Sequence, residues 1–207
     1  MSSVTRLLLL RHGEVENRYH RVFGGSRIDM NLSAAGLEQA KHLAEFLERE
    51  TFDGIYVSPM KRALQTLAPM NAKRGHQPMI VHHLHEVDFG DWTGLTWDEV
   101  RERFNVSAYQ WLHLLDQEAI PNAETARQFR ARIEPALRTI LETHEGKTAA
   151  IVCHGGVIRM ILSILLNVPL PMTSSFEIDY ASITTLSVAN NKTEVKLLNF
   201  APWQHIS

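Results

Sequence analysis

The stretch Leu7-Leu8-Leu9-Leu10-Arg11-His12-Gly13-Glu14 decides the fold class. Four consecutive leucines are typical of a strand that is buried on both faces in a parallel sheet. The run ends abruptly in an arginine, a histidine and a glycine, and ligands of open α/β sheets bind at the carboxyl ends of the strands. Arginine suits planar anions, and histidine suits nucleophilic or acid–base chemistry near neutral pH. The junction predicts a ligand site, although an ordinary strand followed by a polar turn has the same local pattern.

Strands and helices alternate along the chain after this stretch, which is the signature of a parallel sheet covered by helices. Two β-rich runs at 183–188 and 194–198 follow, with a turn around Asn190-Asn191 between them. Pro69 predicts a kink or an end in the second helix. Hydrophobic periodicity predicts strands over 7–10, 54–58, 77–83 and 148–153 and helices over 34–50, 60–72, 124–144 and 157–166. A further helix is expected over 97–104.

We therefore expect a three-layer α/β/α fold, with a mostly parallel central sheet and helices on both faces. The whole chain, 1–207, is predicted to form a single domain. A small, largely helical insertion at about 87–123 is expected to lie over the ligand-binding end of the sheet. It contains Trp92, Trp97 and Trp111. These tryptophans either shape an apolar pocket for the ligand or pack the insertion itself.

The composition narrows the functional classes. With 207 residues and 44% hydrophobic content, the chain is long enough for one well-filled core. A formal net charge of -2 argues against a surface for nucleic acid or anionic membrane. The single cysteine, Cys153, excludes an internal disulfide and a cysteine-only metal site. The longest N-terminal apolar run is too short for a signal peptide or a membrane span. We expect a soluble cytoplasmic protein.

The strand-to-polar junction occurs a second time. The strand over 148–153 runs into His154-Gly155-Gly156, as the first strand runs into Arg11-His12-Gly13. After the strand over 54–58, Arg62 stands on the first turn of a helix, whose N-terminus already favours anions. Two histidines, two arginines and two helix N-termini then converge on one edge of the sheet. A phosphoryl group is the ligand that suits this set of donors.

The same residue types predict a reaction as well as a ligand. Histidine can attack phosphorus through a ring nitrogen and form a covalent intermediate. The leaving oxygen then needs a proton donor. Carboxylates follow the predicted strand over 77–83, and Glu86 is the one next to the strand end. Glu86 is therefore the predicted acid.

Together these segments resemble the histidine phosphatase superfamily, the group related to cofactor-dependent phosphoglycerate mutase. The similarity runs in order from residue 7 to about 160. The motifs that carry it are Arg11-His12-Gly13-Glu14, Leu32-Ser33-x-x-Gly36-x-x-Gln39-Ala40, Ser58-Pro59-x-x-Arg62-Ala63-x-Gln65-Thr66, Glu86-x-x-Phe89-Gly90-x-Trp92-x-Gly94 and His154-Gly155-Gly156.

The resemblance implies a role for each residue of the predicted site. His12 would be the phosphorylated nucleophile, and Arg11 and Arg62 would hold the phosphate. His154 would stabilise the transferring group. Glu86 would act first as general acid and then as the base that activates water.

Two further phosphate contacts are implied by the same resemblance. One is the backbone N–H of Gly155. The other is an asparagine that the family usually places six residues after the nucleophile, whereas Asn17 arrives one position early in this chain. Asn17 is the predicted contact, and Arg21 and the Gly24-Gly25 pair are alternatives on the same loop.

Within the superfamily, the chain resembles phosphatases more than mutases. The mutases of this family carry a lysine in the helix after the position of Gly94 and a pair of arginines in a longer insertion, which bind the substrate carboxylate. In this chain Trp97 stands at the lysine position, and no Arg-Arg pair occurs between Glu86 and His154. The stretch 89–99 is similar to that of α-ribazole phosphatases and broad-specificity phosphatases. However, Asn122-Ala123-Glu124-Thr125 replaces the Gly-Glu-Ser turn of those relatives. The expected substrate is a small phosphorylated metabolite, for which α-ribazole phosphate is one candidate.

Several alternatives remain open from the sequence. His82, His83 and His85 cluster beside Glu86 and Asp88. On a strand His83 and His85 would share a face, which is compatible with two ligands of a metal site. The phosphohistidine mechanism itself needs no metal and no cofactor. A mutase-type phosphotransfer and a non-catalytic module that binds a phosphorylated ligand are two further hypotheses. The sequence leaves the oligomeric state open, and a homodimer is compatible with it.

Overall fold

A mixed sheet lies at the centre of the structure, a computed structural model that describes residues 3–74, 77–189 and 192–205. The strands of the described residues are ordered β3-β2-β4-β1-β5-β6. The first four in this order are parallel, and β5 and β6 are antiparallel additions at one edge. The strands are β1 (Thr5–Arg11), β2 (Gly54–Val57), β3 (Met79–Ile80), β4 (Thr148–Cys153), β5 (Ile183–Ala189) and β6 (Lys192–Phe200).

Helices cover both faces of this sheet, so the predicted three-layer α/β/α fold is confirmed. On one face, α1 and α2 contribute to the core cluster that contains Leu8 and Leu10 of β1. On the other face, α3 to α6 contribute to the cluster that contains Leu7 and Leu9. The helices are α1 (Ala34–Phe46), α2 (Lys61–Arg74), α3 (Trp97–Phe104), α4 (Trp111–Asp116), α5 (Ala126–Thr143) and α6 (Gly155–Leu166).

The four leucines of β1 explain why this strand lies in the middle of the sheet. Each is at most 1% exposed, and burial of one such side chain stabilises the fold by roughly 1.5–3 kcal/mol. β1 pairs in parallel with β4 in a register that places Arg11 opposite Cys153. The backbone N–H of His12 donates to the carbonyl of Cys153 at 3.0 Å. The two strands therefore deliver His12 and His154 to the same edge of the sheet.

The third predicted strand is wrong over most of its length. It was expected over 77–83, but β3 covers only Met79–Ile80, and His82–Leu84 form a short 3-10 turn. β3 lies at the edge of the sheet, where it pairs with β2 alone among the described strands. Leu84 is fully buried, and the turn carries this side chain into the core, which a straight continuation of an edge strand would not do.

The second helix does not end at Pro69. It continues to Arg74, although proline removes one backbone hydrogen bond from a helix. Leu67 and Met70 on either side of the proline are each 3% exposed and belong to the same core cluster. Packing of this face outweighs the lost hydrogen bond. The predicted turn around Asn190-Asn191 lies outside the described residues.

The segment at about 87–123 is largely helical and lies over the carboxyl edge of the sheet, as predicted. It contains α3 and α4, and it pairs with the loop that follows β1. The backbone N–H of Phe23 donates to the carbonyl of Leu95, and that of Gly94 donates to the carbonyl of Phe23, each at 2.9 Å. No helix of the described chain combines the length and apolar character that crossing a membrane requires.

A glycine of α1 controls how closely this helix approaches the loop after β1. A Cβ at Gly36 would lie 2.0 Å from the carbonyl oxygen of Glu14. We predict that Gly36→Ala lowers the free energy of unfolding by about 1–3 kcal/mol, because the helix must move away from that loop. Urea denaturation measures this change. Leu37→Ala is the control, since Leu37 is 44% exposed; equal stability of the two variants would contradict the prediction.

Candidate active site

A cavity of about 330 Å³ opens at the carboxyl edge of the sheet. Its wall combines the end of β1, the N-termini of α2 and α6, the Glu86 loop, the insertion and the turn before β5. Its charged and titratable residues include Arg11, His12, Arg21, Arg62, Glu86, Arg159 and Tyr180. The convergence predicted from the strand ends is therefore present in the structure.

His12 lines this cavity with one ring nitrogen already engaged. Its Nδ1 lies 2.7 Å from the carbonyl oxygen of Gly13. A carbonyl only accepts hydrogen bonds, so Nδ1 carries the proton and Nε2 keeps a free lone pair. The side chain is 6% exposed, and its ring centroid is 5.2 Å from that of His154. This tautomer is the one that a nucleophilic Nε2 requires.

The surroundings of His12 keep its ring neutral. Burial comes first, and the positive charges of Arg62 and Arg11 add to it, so that the pKa of His12 lies well below its ordinary value. The hydrogen bond to Gly13 opposes this shift only in part. A neutral imidazole retains its lone pair, so the ring is competent as a nucleophile at neutral pH.

His154 lies beneath the cavity and is fully buried. Its Nδ1 accepts a hydrogen bond from Nε of Arg62 at 3.2 Å. The ring proton is therefore on Nε2, which donates to Oγ of Ser58 at 2.7 Å. Burial, followed by the charge of Arg62, holds the pKa of His154 well below its ordinary value. His154 is thus a neutral group that orients Arg62.

Arg62 is held from three directions and is 3% exposed. Besides its bond to His154, its guanidinium donates to the carbonyls of Ile28 at 3.2 Å and Gly25 at 3.1 Å. Burial lowers the pKa of Arg62 to about 10, and the negative charge of Glu86 opposes the shift. The side chain therefore remains a cation at neutral pH, fixed in position at the cavity wall.

Arg11 supplies a second cation at the exit of β1. Its guanidinium donates to the carbonyl of Ile178 and lies over the ring of Tyr180, 4.1 Å from the ring centre. Its Nε is buried and has no hydrogen-bond partner among the described residues. An unpaired buried N–H is costly, so this atom is a ready donor for an anionic ligand.

Glu86 lies at the N-terminus of α6. Its Oε2 accepts from the backbone N–H of Gly156 at 3.1 Å, and its Oε1 accepts from that of Val87 at 3.0 Å. A Cβ at Gly156 would lie 2.4 Å from Oε1 of Glu86. The second glycine of the His-Gly-Gly motif therefore leaves the space that the carboxylate occupies.

The two remaining predicted contacts lie in different places. Gly155 is the first residue of α6 and lines the cavity, where the N–H groups of a helix start have no intrahelical partner. Asn17 instead is exposed in a 3-10 turn and does not line the cavity. The alternatives on the same loop, Arg21 and the pair Gly24 and Gly25, do line the cavity. The structure does not bring Asn17 to the other predicted site residues.

Of the three tryptophans in the insertion, one packs the insertion itself and two line the cavity. Trp92 is 1% exposed and packs its ring 5.1 Å from that of Phe23. Trp97 and Trp111 are half-buried and line the cavity. Phe89 lines it as well, with its ring 5.3 Å from that of Trp111. Part of the cavity wall is therefore aromatic, and Arg21 lies over the ring of Trp97 there, 5.3 Å from the ring centre.

Tyr180 and Arg159 are among the cavity residues that sequence reasoning missed. Tyr180 stands in the turn before β5, and its ring lies 5.6 Å from that of His12. No local pattern indicates this contact, because it depends on β5 pairing with β1. Arg159 lies one turn into α6 and donates to the carbonyl of Thr173. Arg159 is the one charged residue in an apolar helix that begins at a predicted anion site. This feature would have indicated Arg159 as a candidate site residue from the sequence.

The metal hypothesis gains no support from the geometry. His83 was expected to share a strand face with His85, but His82–Leu84 form a 3-10 turn. Across 3–74, 77–189 and 192–205, no group of three or more His, Cys, Asp or Glu side chains is arranged to hold a metal ion.

Comparison with known proteins identifies the family. The model of the histidine phosphatase superfamily (branch 1) matches residues 7–201. The chain therefore belongs to the histidine phosphatase superfamily, and the resemblance inferred from its motifs is confirmed.

Relatives named as phosphatases align with nearly the whole chain. Phosphoserine phosphatase 1 of Hydrogenobacter thermophilus is 29% identical over 197 residues, covering 95% of this chain and 92% of the relative. The adenosylcobalamin/alpha-ribazole phosphatase of Escherichia coli is 27% identical over 199 residues, covering 94% and 95%. The crystal structure of phosphoserine phosphatase from Entamoeba histolytica with 3-phosphoglyceric acid has a TM-score of 0.80 at 26% identity, covering 95% and 97%. The chain is a phosphatase of this superfamily.

The neutral buried histidines predict how stability depends on pH. In the unfolded chain His12 and His154 bind protons below about pH 6.5, the ordinary pKa of histidine. In the folded state they remain neutral at that pH, because their pKa values are lowered. The unfolded state then binds more protons, so stability is lost as pH falls through this range. We expect urea unfolding to show a smaller loss between pH 7.5 and 5.5 for His12→Gln than for the unchanged protein.

His113→Gln is the matched control for this measurement, because His113 is exposed. It should retain the full pH dependence. The same dependence in His12→Gln and His113→Gln would contradict a lowered pKa for His12.

Proposed function

We propose that this phosphatase hydrolyses a small phosphorylated metabolite through a covalent phosphohistidine on His12. The observation that carries the proposal is the state of the His12 ring, which is neutral, with its proton on Nδ1 and its lone pair on Nε2. Arg11 and Arg62 stand beside it as fixed cations. A nucleophile next to two phosphate-binding arginines is what transfer of a phosphoryl group requires.

In the first step, Arg11, Arg62 and the N–H of Gly155 bind the phosphate oxygens. Nε2 of His12 attacks phosphorus, and the bond from phosphorus to the alcohol oxygen breaks. Glu86, in its protonated form, gives its proton to that oxygen, so the alcohol leaves neutral. The positive charges around the phosphoryl group stabilise the charge that it carries during transfer.

In the second step, the Glu86 carboxylate takes a proton from a water molecule. The water oxygen attacks phosphorus, the bond from phosphorus to Nε2 breaks, and inorganic phosphate leaves. His12 returns to its neutral form, and Glu86 is again protonated. Both nitrogens of His154 are occupied by Ser58 and Arg62, so we assign its effect on the transferring group to the orientation of Arg62.

The aromatic part of the cavity wall supports a planar or apolar alcohol as the leaving group. Phe89, Trp97 and Trp111 form this wall, and aromatic side chains favour contact with flat apolar rings. α-Ribazole phosphate carries an aromatic base and is therefore the first candidate substrate, with phosphoserine as the comparison. A screen of phosphorylated metabolites, which includes both compounds, tests this choice directly; turnover of phosphoserine alone would contradict it.

Replacement of the nucleophile gives a direct test of the mechanism. We predict that His12→Ala lowers turnover of p-nitrophenyl phosphate by at least about a thousand-fold, as removal of a covalent nucleophile does. The assay is run with EDTA present, and His113→Ala serves as the control at an exposed histidine. Substantial turnover by a folded His12→Ala protein, or loss of activity in EDTA that zinc restores, would reject the proposed mechanism.

Replacement of the acid should depend on the leaving group. Glu86→Gln removes the proton donor, which contributes about 10²–10⁴-fold when the leaving oxygen needs protonation. We expect a large fall in kcat/KM for phenyl phosphate and a small one for p-nitrophenyl phosphate. This parameter covers the steps up to departure of the alcohol, and nitrophenolate leaves readily as an anion without protonation. Equal falls for the two esters, together with an unchanged pH–rate profile, would contradict the role of Glu86.

A further inference from the structure

We propose that Arg132, on α5, is the positioning residue that holds Glu86 for proton transfer. Its guanidinium donates to three backbone carbonyls of the segment that carries Glu86. The acceptors are the carbonyls of His83, His85 at 2.8 Å and Glu86 at 3.1 Å. The inference rests on the proposed function, since it assigns the residue that positions the general acid.

The carboxylate of Glu124 binds the guanidinium of Arg132 as well. We call this ion pair, with its contacts to residues 83–88, the clamp. Nε of Arg132 donates to Oε1 of Glu124 at 2.6 Å, and a terminal nitrogen donates to Oε2 at 3.0 Å. The two side chains are only 12% and 13% exposed. A two-point contact of this kind fixes the plane of the guanidinium as well as its position.

Glu124 also forms two hydrogen bonds with Asp88, at the C-terminal end of the segment that carries Glu86. Its backbone N–H donates to the carbonyl of Asp88 at 2.9 Å, and its Oε2 accepts from the backbone N–H of Asp88 at 3.3 Å. The Arg132–Glu124 pair therefore contacts residues 83, 85 and 86 on one side and residue 88 on the other. The Glu86 segment is anchored to the start of α5 at both ends.

This segment needs an external anchor because it contains neither helix nor strand. The 3-10 turn ends at Leu84, and the next short turn begins at Gly90. The Glu86 carboxylate is held through Val87 and Gly156, whereas its backbone is held by Arg132. Proton transfer depends steeply on geometry, and a misplacement of about 1 Å can lower the rate by about 100-fold. Loss of the clamp should therefore act on the acid step.

Two changes test the clamp. Arg132→Lys keeps the positive charge but cannot reproduce the planar set of donors. Arg132→Met combined with Glu124→Gln removes both charges together, so that no unpaired ion is left buried. The control combines Arg130→Met with Glu134→Gln, because this pair lies on the same helix with its side chains 45% and 35% exposed. Circular dichroism and thermal melting confirm that each variant is folded.

The measurement is kcat/KM for two esters of similar shape, phenyl phosphate and p-nitrophenyl phosphate. This parameter covers the steps up to departure of the alcohol and leaves out the later attack of water, which is common to both esters. We expect both Arg132 variants to lose about 10–100-fold on phenyl phosphate, which needs protonation of its leaving oxygen. The value of kcat/KM for p-nitrophenyl phosphate should fall by less than about threefold, and the control should match the unchanged protein. Equal losses on both esters would show that Arg132 supports only the fold and would overturn the proposal.

A double-mutant cycle separates failure of this inference from failure of the proposed function. In a Glu86→Gln background, Arg132→Lys should cause no further loss on phenyl phosphate, because the acid is already absent. The same loss in both backgrounds would overturn the role of Arg132 and leave that of Glu86 standing. If Glu86→Gln itself falls equally on both esters, the proposed acid is wrong, and the inference about Arg132 falls with it.

Discussion

The parallel pairing of β1 with β4 is the constraint on which the site depends. Its register places Arg11 opposite Cys153, so the two histidines that follow leave the sheet at the same level. The strands lie in the middle of the sheet, and their side chains are close-packed on both faces, which resists any shift in register. The ring centroids of His12 and His154 are consequently held 5.2 Å apart by backbone pairing and core packing.

Charge at this edge is carried by the arginines, while the histidines stay neutral. Burial and the arginine charges both disfavour a proton on His12, which preserves the lone pair that the proposed attack on phosphorus uses. The carbonyls of Gly25 and Ile28 hold Arg62 in place without neutralising it. The cost of burying a cation is offset by these bonds and by the negative charge of Glu86. The two arginines at this edge therefore favour a dianion such as a phosphate ester.

Elements with strong local signals were predicted well, and those decided by packing were not. α3 runs from Trp97 to Phe104 as expected, because Thr96 and Glu99 form a capping box at its start. β3 and the end of α2 deviate, because burial of Leu84 and Met70 outweighs local preference. Asn17 also deviates, because it is exposed in a 3-10 turn and does not line the cavity.

The sequence by itself determined the fold class and the family. It also predicted His12, Arg62 and His154 from the strand and helix ends beside them, whereas it predicted Glu86 from a strand that ends earlier than expected. Only the tertiary structure showed which nitrogen of each histidine carries the proton, since that follows from carbonyl, hydroxyl and guanidinium partners far apart in the chain. The contact between Tyr180 and Arg11 joins residues 169 positions apart in the sequence. The contacts between Arg132 and the segment that carries Glu86 join residues at least 46 positions apart. Such contacts depend on how the elements pack, which local periodicity does not encode.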